Sequence, residues 1–87
     1  MIDVQIPKMG MSTVEVDVVA VHVTEGDAVE PSTILVEVES EKANFEIEAG
    51  HAGTVREVLV SAGQEALVGD VIVRLEPEVQ LGGRLDG

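Results

Sequence analysis

A chain of 87 residues has room for one compact domain with a modest core, and too little for a catalytic domain with a deep, enclosed pocket. With 17 acidic against 5 basic residues the formal net charge is −12, which repels nucleic-acid phosphates and anionic lipid, so neither nucleic acid nor membrane is an expected partner. Cysteine is absent, excluding disulfides and thiolate metal sites, and Phe45 is the only aromatic, so the core must be built from β-branched aliphatics that suit pleated strands.

Met1 to Gly10 show no basic segment followed by a long apolar run, so neither a secretory signal nor a membrane anchor is expected there. The expected compartment is the cytoplasm, or the mitochondrial matrix if an upstream targeting segment has been removed. Val14, Val16 and Val18 then alternate with Glu15 and Asp17, and Val19, Val21 and Val23 resume the alternation with opposite parity. A period near two predicts a strand, and the parity slip predicts a bend or bulge within it. Glu25-Gly26-Asp27 and Pro31-Ser32-Thr33 read as turns, with glycine supplying a positive φ at little steric cost.

From Val36 to Glu48 two alternating runs face each other across a short connection. A two-residue loop at Glu41-Lys42 pairs Ser40 with Ala43, Glu39 with Asn44, Val38 with Phe45, Glu37 with Glu46 and Val36 with Ile47. The four large apolar residues then share one face, and a loop longer or shorter by one residue breaks that segregation, so burial specifies the register. Lys42 is thereby predicted at the hairpin tip. The same register sets Glu37 against Glu46, a like-charge pair that costs some tenths of a kcal/mol.

The second half repeats the first. Val18, Val21, Val23 and Gly26 are matched by Val55, Val58, Val60 and Gly63, and Ile34, Leu35, Val36 and Val38 by Val71, Ile72, Val73 and Leu75, all 37 positions on. The turns answer one another as well, Ala62-Gly63-Gln64 and Val68-Gly69-Asp70 falling on the two earlier turns. Two such halves pack about a pseudo-twofold axis into a flattened barrel or sandwich, each covering apolar faces that the other cannot cover alone. No long stretch carries helical spacing, so helix content near zero is expected. The domain is expected to span residues 1–77, with 78–87 as a tail or linker.

Lys42 stands among Glu37, Glu39, Glu41, Glu46 and Glu48, and nearby carboxylates favour its charged form, whereas a Schiff-base or general-base lysine needs desolvation or a neighbouring cation. It is badly placed for direct catalysis. Because the hairpin joins the two halves, the pseudo-twofold puts the chain termini at the equivalent place on the opposite end, so a tethered domain presents this lysine away from its linker. His22 and His51 are too isolated in sequence to form a metal pair, and Glu37, Glu39 and Glu41 read as a solvated, recognition-bearing face rather than a calcium site. No serine, histidine and acid pattern suggests hydrolase chemistry, and no catalytic residue or metal is expected.

Glu39-Ser40-Glu41-Lys42-Ala43, followed by Phe45-Glu46-Ile47 and Ala49, resembles the lipoylation hairpin of the biotinyl/lipoyl carrier family. Ile6-Pro7-Lys8-Met9-Gly10-Met11, Glu25-Gly26-Asp27-Ala28-Val29 and the Gly53-Thr54-Val55 to Gly63 segment are similar to the family's other landmarks, so the resemblance covers most of the chain. It implies an all-β, flattened barrel-sandwich hybrid of two four-stranded antiparallel sheets, with lipoate joined by an amide to the amine of Lys42. It further implies partner recognition around the tip by Glu39, Ser40, Glu41 and Ala43. The implied partners are a lipoate ligase or lipoyl transferase, a thiamine diphosphate-dependent decarboxylase or dehydrogenase, an acyltransferase core and dihydrolipoamide dehydrogenase. The host would be a 2-oxo acid or acetoin dehydrogenase complex. The biotin branch usually flanks its modified lysine with methionines, where this chain has Glu41 and Ala43, so lipoate is the expected group and biotin the alternative. An unmodified structural barrel, as in efflux-pump adaptors, usually interrupts this hairpin with helices. The chain departs from the pattern in lacking an aromatic between Val18 and Val23 and in having Pro31-Ser32 at the turn.

Overall fold

The computed structural model describes residues 1–8, 15–41 and 43–78. Eight strands follow in chain order: β1 Ile2–Gln5, β2 Glu15–Val21, β3 Ala28–Val29, β4 Ile34–Glu39, β5 Asn44–Glu48, β6 Gly53–Val58, β7 Glu65–Leu67 and β8 Val71–Pro77. They form two four-stranded antiparallel sheets, ordered β1-β8-β6-β3 and β5-β4-β2-β7, and no helix occurs among the described residues. The architecture is the all-β sandwich expected from the sequence.

The repeat explains the topology strand by strand. Advancing β2, β3 and β4 by the sequence offset gives β6, β7 and β8, so each sheet takes its edge strand β3 or β7 from the other half. The exchange is sealed by matching backbone bonds: Gly26 N–H donates to Val55 O at 2.8 Å, and Gly63 N–H to Val18 O at 2.7 Å. Both glycines hold a left-handed backbone, with φ of 95° and 93°. A sheet whose edges come from the opposite half cannot form from one half alone.

The irregularity predicted in β2 lies between Val18 and Ala20, and its repeat counterpart in β6 between Val55 and Glu57. Two more, not foreseen from the sequence, lie between Ile34 and Val36 in β4 and opposite Val71 to Val73 in β8. These allow the neighbours Leu35 and Val36, and likewise Ile72 and Val73, all to be buried, although regular pleating sends successive side chains to opposite faces. Together with Ile6, Val18, Val38, Val55 and Leu75 they fill the space between the sheets with fully buried aliphatic side chains.

Candidate functional site

The β4–β5 hairpin has the register read from the sequence: Val36 opposite Ile47, Glu37 opposite Glu46, Val38 opposite Phe45 and Glu39 opposite Asn44. Val36, Val38 and Ile47 are buried and Phe45 packs against the same core. At the tip, Ser40 N–H donates to Ala43 O at 2.8 Å, which leaves positions 41 and 42 to connect the strands. The Ser40 hydroxyl donates to the same carbonyl at 3.1 Å and accepts the Ala43 N–H at 3.3 Å. Glu39, Glu41 and Ala43 are exposed, and Ser40 is buried at 9% relative exposure. Lys42 lies outside the described residues, as do Val14, the Met9-Gly10-Met11 landmark and the tail over 79–87.

Beside the tip lies a shallow depression lined by Glu15, Val16, Asp17, Glu39, Ser40, Glu41 and Glu65. It forms because β4 lies between β5 and β2, with Asp17 opposite Glu39, and because β7 sets Glu65 against Asp17. The sequence marked Glu39 and Glu41 but not Glu15, Asp17 and Glu65, since the pairing of β2 with β7 joins opposite halves of the chain. The repeat was the signal that could have found them.

The pseudo-twofold supplies an internal comparison. A second depression at the other end is lined by Ala28, Val29, Glu30, Gly53, Thr54 and Glu78, where Thr54 is the repeat mate of Asp17 and Ala28 that of Glu65. Five carboxylates therefore line the depression at the hairpin end, against Glu30 and Glu78 in the other. The opposite end is where β1 enters and β8 leaves, Ile2 opposite Leu75 corresponding to Phe45 opposite Val38.

The outer faces of the two sheets differ in the same sense. Across β1, β8 and β6, Arg74 lies 3.3 Å from Asp3 and 3.0 Å from Glu57, and Arg56 pairs with Glu76. The mate of Arg74 in the hairpin sheet is Glu37, which faces Glu46 and is approached at 2.6 Å by His22 Nε2, a contact the sequence did not reveal. His51 is exposed, and the described residues contain no group of three or more His, Asp or Glu able to hold a metal ion.

Residues 2–75 match the family described as "Biotin-requiring enzyme", which unites biotin and lipoyl domains. The chain is 37% identical over 86 residues to the dihydrolipoyllysine-residue acetyltransferase component of the pyruvate dehydrogenase complex of Staphylococcus epidermidis, covering 94% of this chain and 20% of that protein. To the protein of the same description from Staphylococcus aureus it is 39% identical over 72 residues, covering 83% and 17%. The chain thus spans about a fifth of the length of these relatives. The solution structure of the lipoyl domain of the 2-oxoglutarate dehydrogenase complex from Azotobacter vinelandii superposes with a TM-score of 0.72 at 26% identity, covering 90% of this chain and all of that domain.

Proposed function

Since the chain belongs to the biotin/lipoyl family, we propose that it is a carrier domain lipoylated on Lys42, shuttling acyl groups and reducing equivalents between the components of a 2-oxo acid or acetoin dehydrogenase complex. The observation that carries this reading is the closed hairpin. Its register, fixed by burial and by the Ser40–Ala43 pair, leaves a two-residue connection that contains Lys42, on the end of the body opposite β1 entry and β8 exit. That connection, on the end away from any linker continuing past β8, suits a group carried on an amide that a modifying enzyme has to reach.

When bound, lipoate supplies a dithiolane that takes up an acyl group together with two electrons and later releases both. The chain's own residues present and orient. Glu39 and Glu41 beside the lysine, with Glu15, Asp17 and Glu65 behind them, form an acidic end that draws positively charged active-site mouths and a ligase seeking one amine. Ala43, next in the chain, adds only a small, exposed side chain. The partners that follow are a lipoate ligase or lipoyl transferase, a thiamine diphosphate-dependent enzyme, an acyltransferase core and dihydrolipoamide dehydrogenase. The reading carries with it the compartment expected from the sequence, the cytoplasm or, behind a targeting segment, the mitochondrial matrix.

Parallel incubation with lipoate and lipoate ligase, and with biotin and biotin ligase, tests the choice of group by intact mass. A lipoyl mass gain without a biotinyl one is expected. Exclusive biotinylation would assign the chain to the other branch, and no gain in either arm would leave an unmodified structural barrel.

A further inference from the structure

Two-residue hairpin connections ordinarily close through turns with positive φ at the first central residue, supplied by Gly, Asn or Asp, because their twist matches that of the strands. This hairpin has none of those residues at Glu41-Lys42, and no non-glycine residue among those described has a positive φ, so Glu41 does not adopt that conformation. The connection is therefore not specified by its own turn chemistry. What the structure places there instead is Ser40, whose backbone N–H and hydroxyl both engage Ala43: the N–H and the O–H converge on its carbonyl at 2.8 and 3.1 Å, and the Oγ accepts its N–H at 3.3 Å. The hydroxyl reaches across the two residues of the connection and ties their flanks together from a buried position.

We infer that Ser40 is a positioning residue, whose hydroxyl clamps the hairpin tip so that Lys42 is presented in one place to the enzymes that use it. This rests on the carrier reading and goes beyond it, because it separates Ser40 from its exposed neighbours Glu39 and Glu41: they meet a partner, and Ser40 acts through the turn. Removing the hydroxyl takes away two of the three bonds described between Ser40 and Ala43 and leaves the register of the hairpin body to its buried apolar pairs. The tip then samples several geometries while the body stays folded. A ligase still docks on the acidic end but finds the amine in place less often, which lowers kcat and leaves KM unchanged. A merely structural role predicts the reverse, since partial unfolding dilutes the competent substrate, raises apparent KM and leaves kcat intact.

The test compares wild type, Ser40→Ala and Ser40→Thr, the last keeping the hydroxyl on a β-branched side chain. Two measurements are made: steady-state lipoylation by lipoate ligase with lipoate and ATP, and amide exchange at Ala43 beside that of the core strands. Ser40→Ala is expected to lose about tenfold in kcat at constant KM, and Ala43 about tenfold in protection while Val38 and Leu75 keep theirs. Ser40→Thr is expected to restore both to within about twofold of wild type. Wild-type kcat in Ser40→Ala, a loss confined to KM, a loss of protection shared by the core strands, or no recovery in Ser40→Thr would each overturn the clamp while leaving the carrier reading in place. Failure of wild type to gain any lipoyl mass would overturn the carrier reading, and the positioning role with it.

Discussion

Glu37 is where this domain gives up stability that its own symmetry shows to be attainable. Its mate Arg74 sits between Asp3 and Glu57 and joins three strands, whereas Glu37 faces Glu46 and has the exposed His22 beside it. Like charges directly across a ladder destabilise by some tenths of a kcal/mol, and exposed ion pairs return at most about 1 kcal/mol. Glu37→Arg is therefore expected to stabilise the fold by about 0.5 kcal/mol, read as a higher urea midpoint that shrinks toward wild type at high salt. A lower midpoint would show that the contact with His22 already more than offsets the repulsion. The neighbouring acids at the tip follow the same logic, since the sheet gains nothing from them and the proposed function gives them an encounter surface to form.

Among the elements, the hairpin was the most legible in the sequence because two constraints coincide there. Val36, Val38, Phe45 and Ile47 can share a face in one register only, and that register also fixes the length of the connection. The repeat made the β2 and β6 irregularities legible, since a parity slip in a strand has one physical cause, an extra residue. The irregularities of β4 and β8 were not legible, because Leu35-Val36 and Ile72-Val73 are adjacent apolar pairs that read equally well as a regular strand with one residue turned outward. Nor was the approach at Gly53. A Cβ there would stand 2.2 Å from Glu76 O, whereas the repeat mate Val16 carries its whole side chain into the core. Gly63, by contrast, has open space around its missing Cβ and needs glycine only for its φ of 93°. Gly53→Ala is therefore expected to cost about 3 kcal/mol or more, as backbone must move, and Gly63→Ala about 1 kcal/mol, as only a strained φ is imposed. Urea unfolding of the two variants checks the order; equal losses would mean that β8 yields to the added methyl without cost.

At the scale of the whole molecule the pseudo-twofold turns a repetitive sequence into a body with two unlike ends. One end carries the hairpin connection and Glu15, Asp17, Glu39, Glu41 and Glu65; the other carries the entry of β1 and the exit of β8, with Glu30 and Glu78 in its depression and Thr54 and Ala28 in the places of two of the first end's acids. The sequence alone showed the net charge and the acids of the hairpin, but not that β2 and β7 bring three more beside them, because that depends on pairing between halves. A charge collected at one end orients approach over about a Debye length, roughly 10 Å at moderate salt. Glu39→Gln with Glu41→Gln should slow lipoylation several-fold at low ionic strength and converge on wild type as salt rises. Equal ratios at every salt concentration would assign those carboxylates to direct contact, or to no role in encounter.

The chain has only two lysines, Lys8 and Lys42, so the site of attachment can be resolved without ambiguity. Tandem mass spectrometry of the ligase-treated protein, beside Lys42→Arg, decides it. The lipoyl group is expected on the peptide containing Lys42 in wild type and on no peptide of the variant; a lipoyl group on Lys8, or one that persists in Lys42→Arg, would contradict the account.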